Sequence, residues 1–208
     1  MAWVTDAEFK AWVRLDVDDT LDDANVALAV AAAHRTVEHH CGRTFDTVVG
    51  PSASATARLY TPQFRDLVLV DDFWTDTGLV VEARTTGTGA WTTVDPARFQ
   101  LEPLNGVVAG RPGFPYYWLR LLDRTVFTVG YGATVRVTAK WGWATAPDDV
   151  RFATMIQASR LLKRREAPQG LLEFAGDGGS VRVSPLDGDV LRLLQPFVRP
   201  ERQLGIGV

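Results

Sequence analysis

One stretch constrains the fold more than any other, because in it a strand pattern hands over directly to a helix pattern. In VRVTAKW, residues 135–141, Val135, Val137, Ala139 and Trp141 alternate with polar residues, the period of a half-buried strand. Gly142 breaks the alternation. After Trp143, Ala146-Pro147-Asp148-Asp149 opens a helix: proline cannot continue a strand ladder, and acids complement the positive end of a helix dipole. The helix is predicted to run to about Glu166, with Val150, Ala153, Met155, Ile156, Ser159, Leu161, Leu162 and Lys163 as a broad stripe. Arg160, Lys163, Arg164 and Arg165 crowd its negative end, and Pro168 and Gly170 stop it. A sheet and a helical layer are therefore both required, and the rest of the chain is expected to pack on this unit.

The chain has 208 residues, 46% of them hydrophobic, enough to bury a sizeable core in one domain with an insertion or in two small ones. A formal net charge of -3 argues against a general nucleic-acid binder, which needs a dense basic face. A single cysteine excludes a disulfide framework and fits a reducing cytosol. The N-terminus lacks the apolar core of a secretion signal and no apolar run has bilayer-spanning length, so an intracellularly made protein with no membrane partner is expected.

Taken in order, Thr5-Asp6-Ala7-Glu8 has the form of a capping box and starts a short helix bearing Phe9, Trp12, Val13 and Leu15. The acidic run at residues 16–23 lacks the central glycine and terminal glutamate of a calcium loop. Thr20 is instead expected to cap a second helix, with Asp22 and Asp23 in its first turn. That helix reaches about Cys41, with Val26, Val30, Ala33, Val37 and Cys41 on one stripe and Ala24, Ala27, Ala29, Ala31 and Ala32 around it. Such small residues allow close approach by the later long helix or by a neighbouring subunit. His34, His39 and His40 lack the three- or four-residue spacing of a metal pair and read as surface or interface histidines.

From Phe45 to Trp141 the pattern is of short strands: residues 56–61, 67–70, 79–84, 91–94, 99–101, 118–122, 126–129 and 135–141. Thr86-Gly87-Thr88-Gly89 and Asn105-Gly106 are hairpin signals, and Arg111-Pro112-Gly113-Phe114-Pro115 an irregular loop. Beyond Gly176-Asp177-Gly178-Gly179, a flexible joint, and an extended piece at residues 180–183, Ser184-Pro185-Leu186-Asp187 has the form of a helix start. The helix carries Val190, Leu191, Leu193 and Leu194, and Pro196 and Pro200 end it, leaving residues 197–208 as an extended arm expected to order on a partner.

The expected class is thus α+β: a helical bundle core, an inserted small antiparallel β module and an extended C-terminal arm. The divisions are residues 1–48 (N-terminal helices), 49–142 (β module), 143–170 (long core helix) and 171–208 (linker, short helix and arm). No catalytic motif, cofactor loop or metal-ligand spacing is present, so no catalytic, cofactor or metal residues are assigned. Two other readings stay open: a carbohydrate- or peptide-binding module on the Trp-rich β segment, and a hydrolase with a site among Asp71, Asp72 and Trp141.

The order of elements resembles the head-to-tail adaptor proteins (head-completion proteins, connectors) of long-tailed bacteriophages. The matching phrases are Cys41-Gly42-Arg43-Thr44-Phe45 at the end of the longer helix, Val137 to Gly142 closing a variable β segment, and Pro147-Asp148-Asp149-Val150 opening the next helix, with a short helix and arm after it. The resemblance implies a structural protein of the virion neck, made in the host cytoplasm. Its members form a ring, commonly of twelve subunits, between the portal protein and the next neck or tail-completion protein, through which DNA passes without sequence-specific binding. It also implies portal or subunit contacts at Phe197, Arg199, Arg202, Leu204 and Ile206, and channel-bordering acids at Asp16, Asp18, Asp19, Asp22 and Asp23.

Overall fold

The computed structural model describes residues 3–16, 20–46, 54–123, 126–130, 132–164, 171–173, 180–182 and 186–200. The chain divides into two compact units: Thr44–Thr145 is one, and Ala2–Arg43 together with Ala146–Val208 form the other. The class is α+β.

In the helical unit, α1 (Asp6–Val13) starts at the expected capping box: the Thr5 N–H donates to Glu8 Oε2 at 2.8 Å and the Glu8 N–H donates back to Thr5 Oγ1 at 3.2 Å. Helix α2 (Asp23–Cys41) buries Val26, Val30, Ala33, Val37 and Cys41, the stripe its periodicity marks, together with Ala29 beside it, and ends at Gly42 in the left-handed region. Its N-cap is Asp22 and not Thr20; the Thr20 carbonyl accepts from the Asp23 N–H in the turn before it.

Helix α3 (Asp148–Lys163) packs on α2, but through a different face from the one the apolar residues suggest. Val150, Ala153, Thr154, Gln157 and Ala158 are buried, whereas Met155, Ile156, Leu161 and Leu162 are half-buried. Thr154 goes inside because it is satisfied there: its hydroxyl donates to the Val150 carbonyl at 2.8 Å and accepts from Trp3 Nε1 at 2.9 Å. Strands β8 (Leu171–Glu173) and β9 (Ser180–Arg182) pair antiparallel. Helix α4 (Gly188–Leu194) is capped by Asp187, whose side chain accepts from the Asp189 N–H, so the start lies three residues beyond Ser184. The glycine-rich joint at residues 176–179 falls outside the described residues.

The other unit is built from two antiparallel sheets. Strands β1 (Thr56–Tyr60), β3 (Val80–Ala83), β4 (Thr92–Thr93) and β7 (Val135–Ala139) form one sheet in the order β1-β7-β3-β4. Strands β2 (Leu67–Phe73), β5 (Phe99–Glu102) and β6 (Tyr116–Leu121) form the other, in the order β2-β6-β5. Both contribute to one core that includes Val68, Val70, Phe73, Val81, Leu119, Val135, Val137 and Trp141. Asn105 and Gly106 both take positive φ in the β5–β6 connection, and a Cβ on Gly106 would stand 2.7 Å from the Phe114 carbonyl oxygen, so only glycine fits.

The predicted strand at residues 126–129 does not form. Phe127 alone is buried, its N–H donating to the Arg65 carbonyl, while Val126 and Val129 are exposed. The β-branched and aromatic content is present, but among the described residues no strand pairs with it.

Candidate assembly interface

The Trp-Gly-Trp segment is fixed by β2. The Gly142 N–H donates to the Asp72 carbonyl at 2.7 Å, and the indole of Trp143 donates to the Asp72 carboxylate at 3.0 Å. Asp72 and Trp143 are both buried, and Phe45 and Phe114 pack on the indole at ring-centroid distances of 5.2 and 5.6 Å. Trp141 donates its indole N–H to the Thr56 carbonyl and lies under the Arg58 guanidinium.

The adjacent Asp71 is held separately. Arg58 Nη1 donates to its carboxylate at 2.6 Å, the Tyr60 hydroxyl donates to the same oxygen at 2.9 Å, and the Asp71 N–H donates to that hydroxyl. Burial, reinforced by the Asp71 charge, pushes the Tyr60 phenol above the ordinary tyrosine range. The two acids of the hydrolase reading therefore do not converge: Asp72 orients Trp143 and Asp71 ties β1 to β2. The Trp platform of the binding-module reading is dispersed in the same way, since Trp141 and Trp143 are core residues and Trp91 carries the guanidinium groups of Arg84 and Arg136 at 4.2 and 4.7 Å. Next to it, Arg136 makes a two-pronged pair with Glu82, whose carboxyl this hydrogen bonding holds below the usual carboxylate range.

The acids singled out from the sequence take different places. Asp16 is exposed; Asp18 and Asp19 lie outside the described residues. Asp22 precedes α2 and accepts from the Asn25 amide at 3.2 Å, and Asp23 is ion-paired with the buried Lys10 of α1. Together Asp6, Ala7, Lys10, Asp23, Ala24 and Ala27 line an open groove of about 450 Å³ between α1 and α2. Glu8 reaches Arg151 of α3 at 2.7 Å, and its carboxyl is held below the usual range, chiefly by the Thr5 backbone N–H.

The arm does not begin at Phe197. Residues Gln195–Phe197 make a 3-10 turn, Phe197 is 4% exposed, and the Arg199 N–H donates to the Cys41 carbonyl at 2.9 Å, closing the end of α2. Phe197 thus serves the core of its own unit and anchors the C-terminal residues beyond it; Arg202, Leu204 and Ile206 lie outside the described residues. His34 stacks on Trp3 at 4.0 Å, and among the described residues no group of His, Cys, Asp and Glu is placed to hold a metal ion.

What sequence reading missed is the apolar surface. Trp12 and Phe152, 41% and 48% exposed, meet edge to face at 6.3 Å; Leu21 stands out from the turn before α2, Leu28 from α2 and Leu59 from β1. No helix among the described residues is long and apolar enough to cross a membrane.

No protein-family model matches the sequence, and no curated protein matches it. Solved structures do. A chain in the neck of an empty gene transfer agent particle, computed with C6 symmetry, superimposes with a TM-score of 0.52 and 18% identity, over 94% of this chain and 89% of that one. A chain in the virion of the native particle gives 0.51 and 17%, over 94% and 89%. Another, in the native neck computed with C12 symmetry, gives 0.49 and 17%, over 95% and 91%. The α+β class expected is thus the class found, and over nearly its whole length this chain is similar in fold to a chain of a gene transfer agent neck.

Proposed function

We propose that this protein is a structural component of a virion neck, one subunit of a ring that joins the portal of a filled capsid to the tail and prolongs the DNA channel. The carrying observation is the near end-to-end fold likeness to a chain of a gene transfer agent neck. That neck was computed with cyclic symmetry, which a closed ring of identical subunits would have. A structural role also accounts for the Asp71 and Asp72 carboxylates, each committed to a partner within its own unit.

In this reading the portal lies on one side of the ring and the next neck or tail-completion protein on the other. Arg199, Arg202, Leu204 and Ile206 form the contacting arm, with Phe197 as its root. Its attachment gains strength from repetition around the ring, since each bound copy raises the effective concentration of the rest. Asp16, Asp18, Asp19, Asp22 and Asp23 border the channel, where negative charge repels the DNA backbone and lets it slide. The protein works without cofactor or catalysis.

The test is co-sedimentation of the purified protein with isolated portal rings of its own phage. The full chain is expected to pellet with the rings, and a chain ending at Phe197 to stay in the supernatant. Equal recovery of the two would remove the arm from the account, and recovery of neither would remove the portal.

A further inference from the structure

Strand β1 is an edge of its sheet, and four of its five residues are exposed. Among the described strands β1 has one ladder neighbour, β7, and Thr56, Ala57, Arg58 and Leu59 are all exposed. Proteins usually blunt such an edge with lysine, proline or a bulge. TARLY has neither lysine nor proline, its register with β7 is unbroken, and its one charge, Arg58, is taken up by Asp71.

Its two faces differ. Thr56, Arg58 and Tyr60 stand opposite Ala139, Val137 and Val135, which are buried, so they lie on the core side. There Arg58 and Tyr60 fan out to Asp71, and Arg58 covers Trp141. Ala57 and Leu59 lie on the outer side with Thr138 and Arg136, and beyond them Val80. Leu59 is 57% exposed and Val80 40%. A strand added beside β1 would meet side chains already in place on one face and an open apolar strip on the other.

The sequence after Pro200 has the matching pattern. Leu204, Ile206 and Val208 alternate with Gly205 and Gly207, giving five residues with three apolar side chains on one face and none on the other. We infer that residues 204–208 of a neighbouring copy add to β1 as an extra strand, with Leu204, Ile206 and Val208 beside Ala57 and Leu59 and the two glycines facing Arg58 and Tyr60. The reverse facing would lay three aliphatic side chains against the Arg58–Asp71 ion pair. Main-chain hydrogen bonds supply the affinity, and the alternation supplies the register and facing. The contact is heterologous, tail to edge, the kind that repeats around a closed ring. Only the identity of the donor as a neighbouring copy rests on the neck reading.

The chain truncated after Pro200, labelled with ¹⁵N, is titrated with a peptide of residues 199–208. The amide resonances of Thr56–Tyr60 are expected to shift saturably, and Leu59→Lys in the protein or Gly207→Val in the peptide to weaken binding roughly tenfold or more. Leu28→Lys, on the exposed face of α2, leaves it unchanged. Absence of β1 shifts at roughly millimolar peptide, the range that ring attachment turns into firm binding, or indifference to Leu59→Lys, overturns the inference.

The donor is identified by mixing two full-length single variants, Leu59→Cys and Ile206→Cys, on portal rings and adding a short bis-maleimide, Cys41 being buried in both. Chain-to-chain linkage is expected. Linkage found only within the chain of the double variant would overturn the neighbouring donor. Loss of the neck reading would leave the peptide result standing, so the two failures are separable.

Discussion

At the scale of single residues, the handover from β unit to helix depends on polar groups that burial makes exacting. The Trp143 indole donates to the buried Asp72 carboxylate, and a hydrogen bond to a charged group contributes about 1.5–3 kcal/mol net. Trp143→Phe keeps most of the apolar volume and loses that donor, so a loss of roughly 1–3 kcal/mol in urea unfolding is expected. A loss near zero would mean that packing of Phe45 and Phe114 alone holds the segment. Glu82 gives a pH-dependent counterpart. Because Arg136 lowers its folded pKa, its contribution is full above the unfolded carboxylate value of about 4.3 and fades as pH falls through the lower folded value. Glu82→Gln should therefore be less stable than the parent at neutral pH, with the gap narrowing in acid; a gap constant with pH would contradict the assigned ion pair. The Asp72–Trp143 pairing spans 71 residues, and nothing local in the sequence announces it. Thr154 escaped for a related reason: polar residues read as exposed, and only the structure reveals the Trp3 indole and the Val150 carbonyl that satisfy its hydroxyl inside.

At the scale of elements, the last turn carries more than its sequence suggests. Two prolines around residues 196–200 signal a helix end, and an extended arm is the natural reading; yet Phe197 turns back through a short 3-10 segment and is buried. Phe197→Ala should cost about 3–5 kcal/mol, the range for truncating a buried aromatic, measured by thermal or denaturant unfolding of the isolated protein. A cost under about 1 kcal/mol, the range of surface changes, would return Phe197 to the arm. Elements with strong local rules were legible: the capping box at Thr5, the α2 stripe, the alternation of β7 and the proline-and-acid start of α3. Residues 126–129 are rich in β-branched and aromatic residues but pair with no strand among the described residues, and pairing is a property of two segments, which one segment does not encode.

At the scale of the whole molecule, the helical unit is assembled from both ends of the chain, residues before Thr44 and after Thr145, with the β unit between them in sequence. In the sequence the period changes to that of strands at Phe45 and returns to that of a helix after Pro147. Order and spacing of elements also carried the resemblance to head-to-tail adaptors, and the fold likeness spans 94% of the chain. The exposed groups Trp12, Phe152, Leu28 and Leu59 were not legible, because exposure of an apolar residue depends on which neighbours fail to cover it. The measurement that bears most directly on the neck assignment is electron microscopy of DNA-filled, tailless capsids of the same phage before and after addition of the purified protein. A new ring of density beneath the portal, absent with a chain ending at Phe197, is the predicted result. Capsids whose portal vertex is unchanged at saturating protein would contradict it.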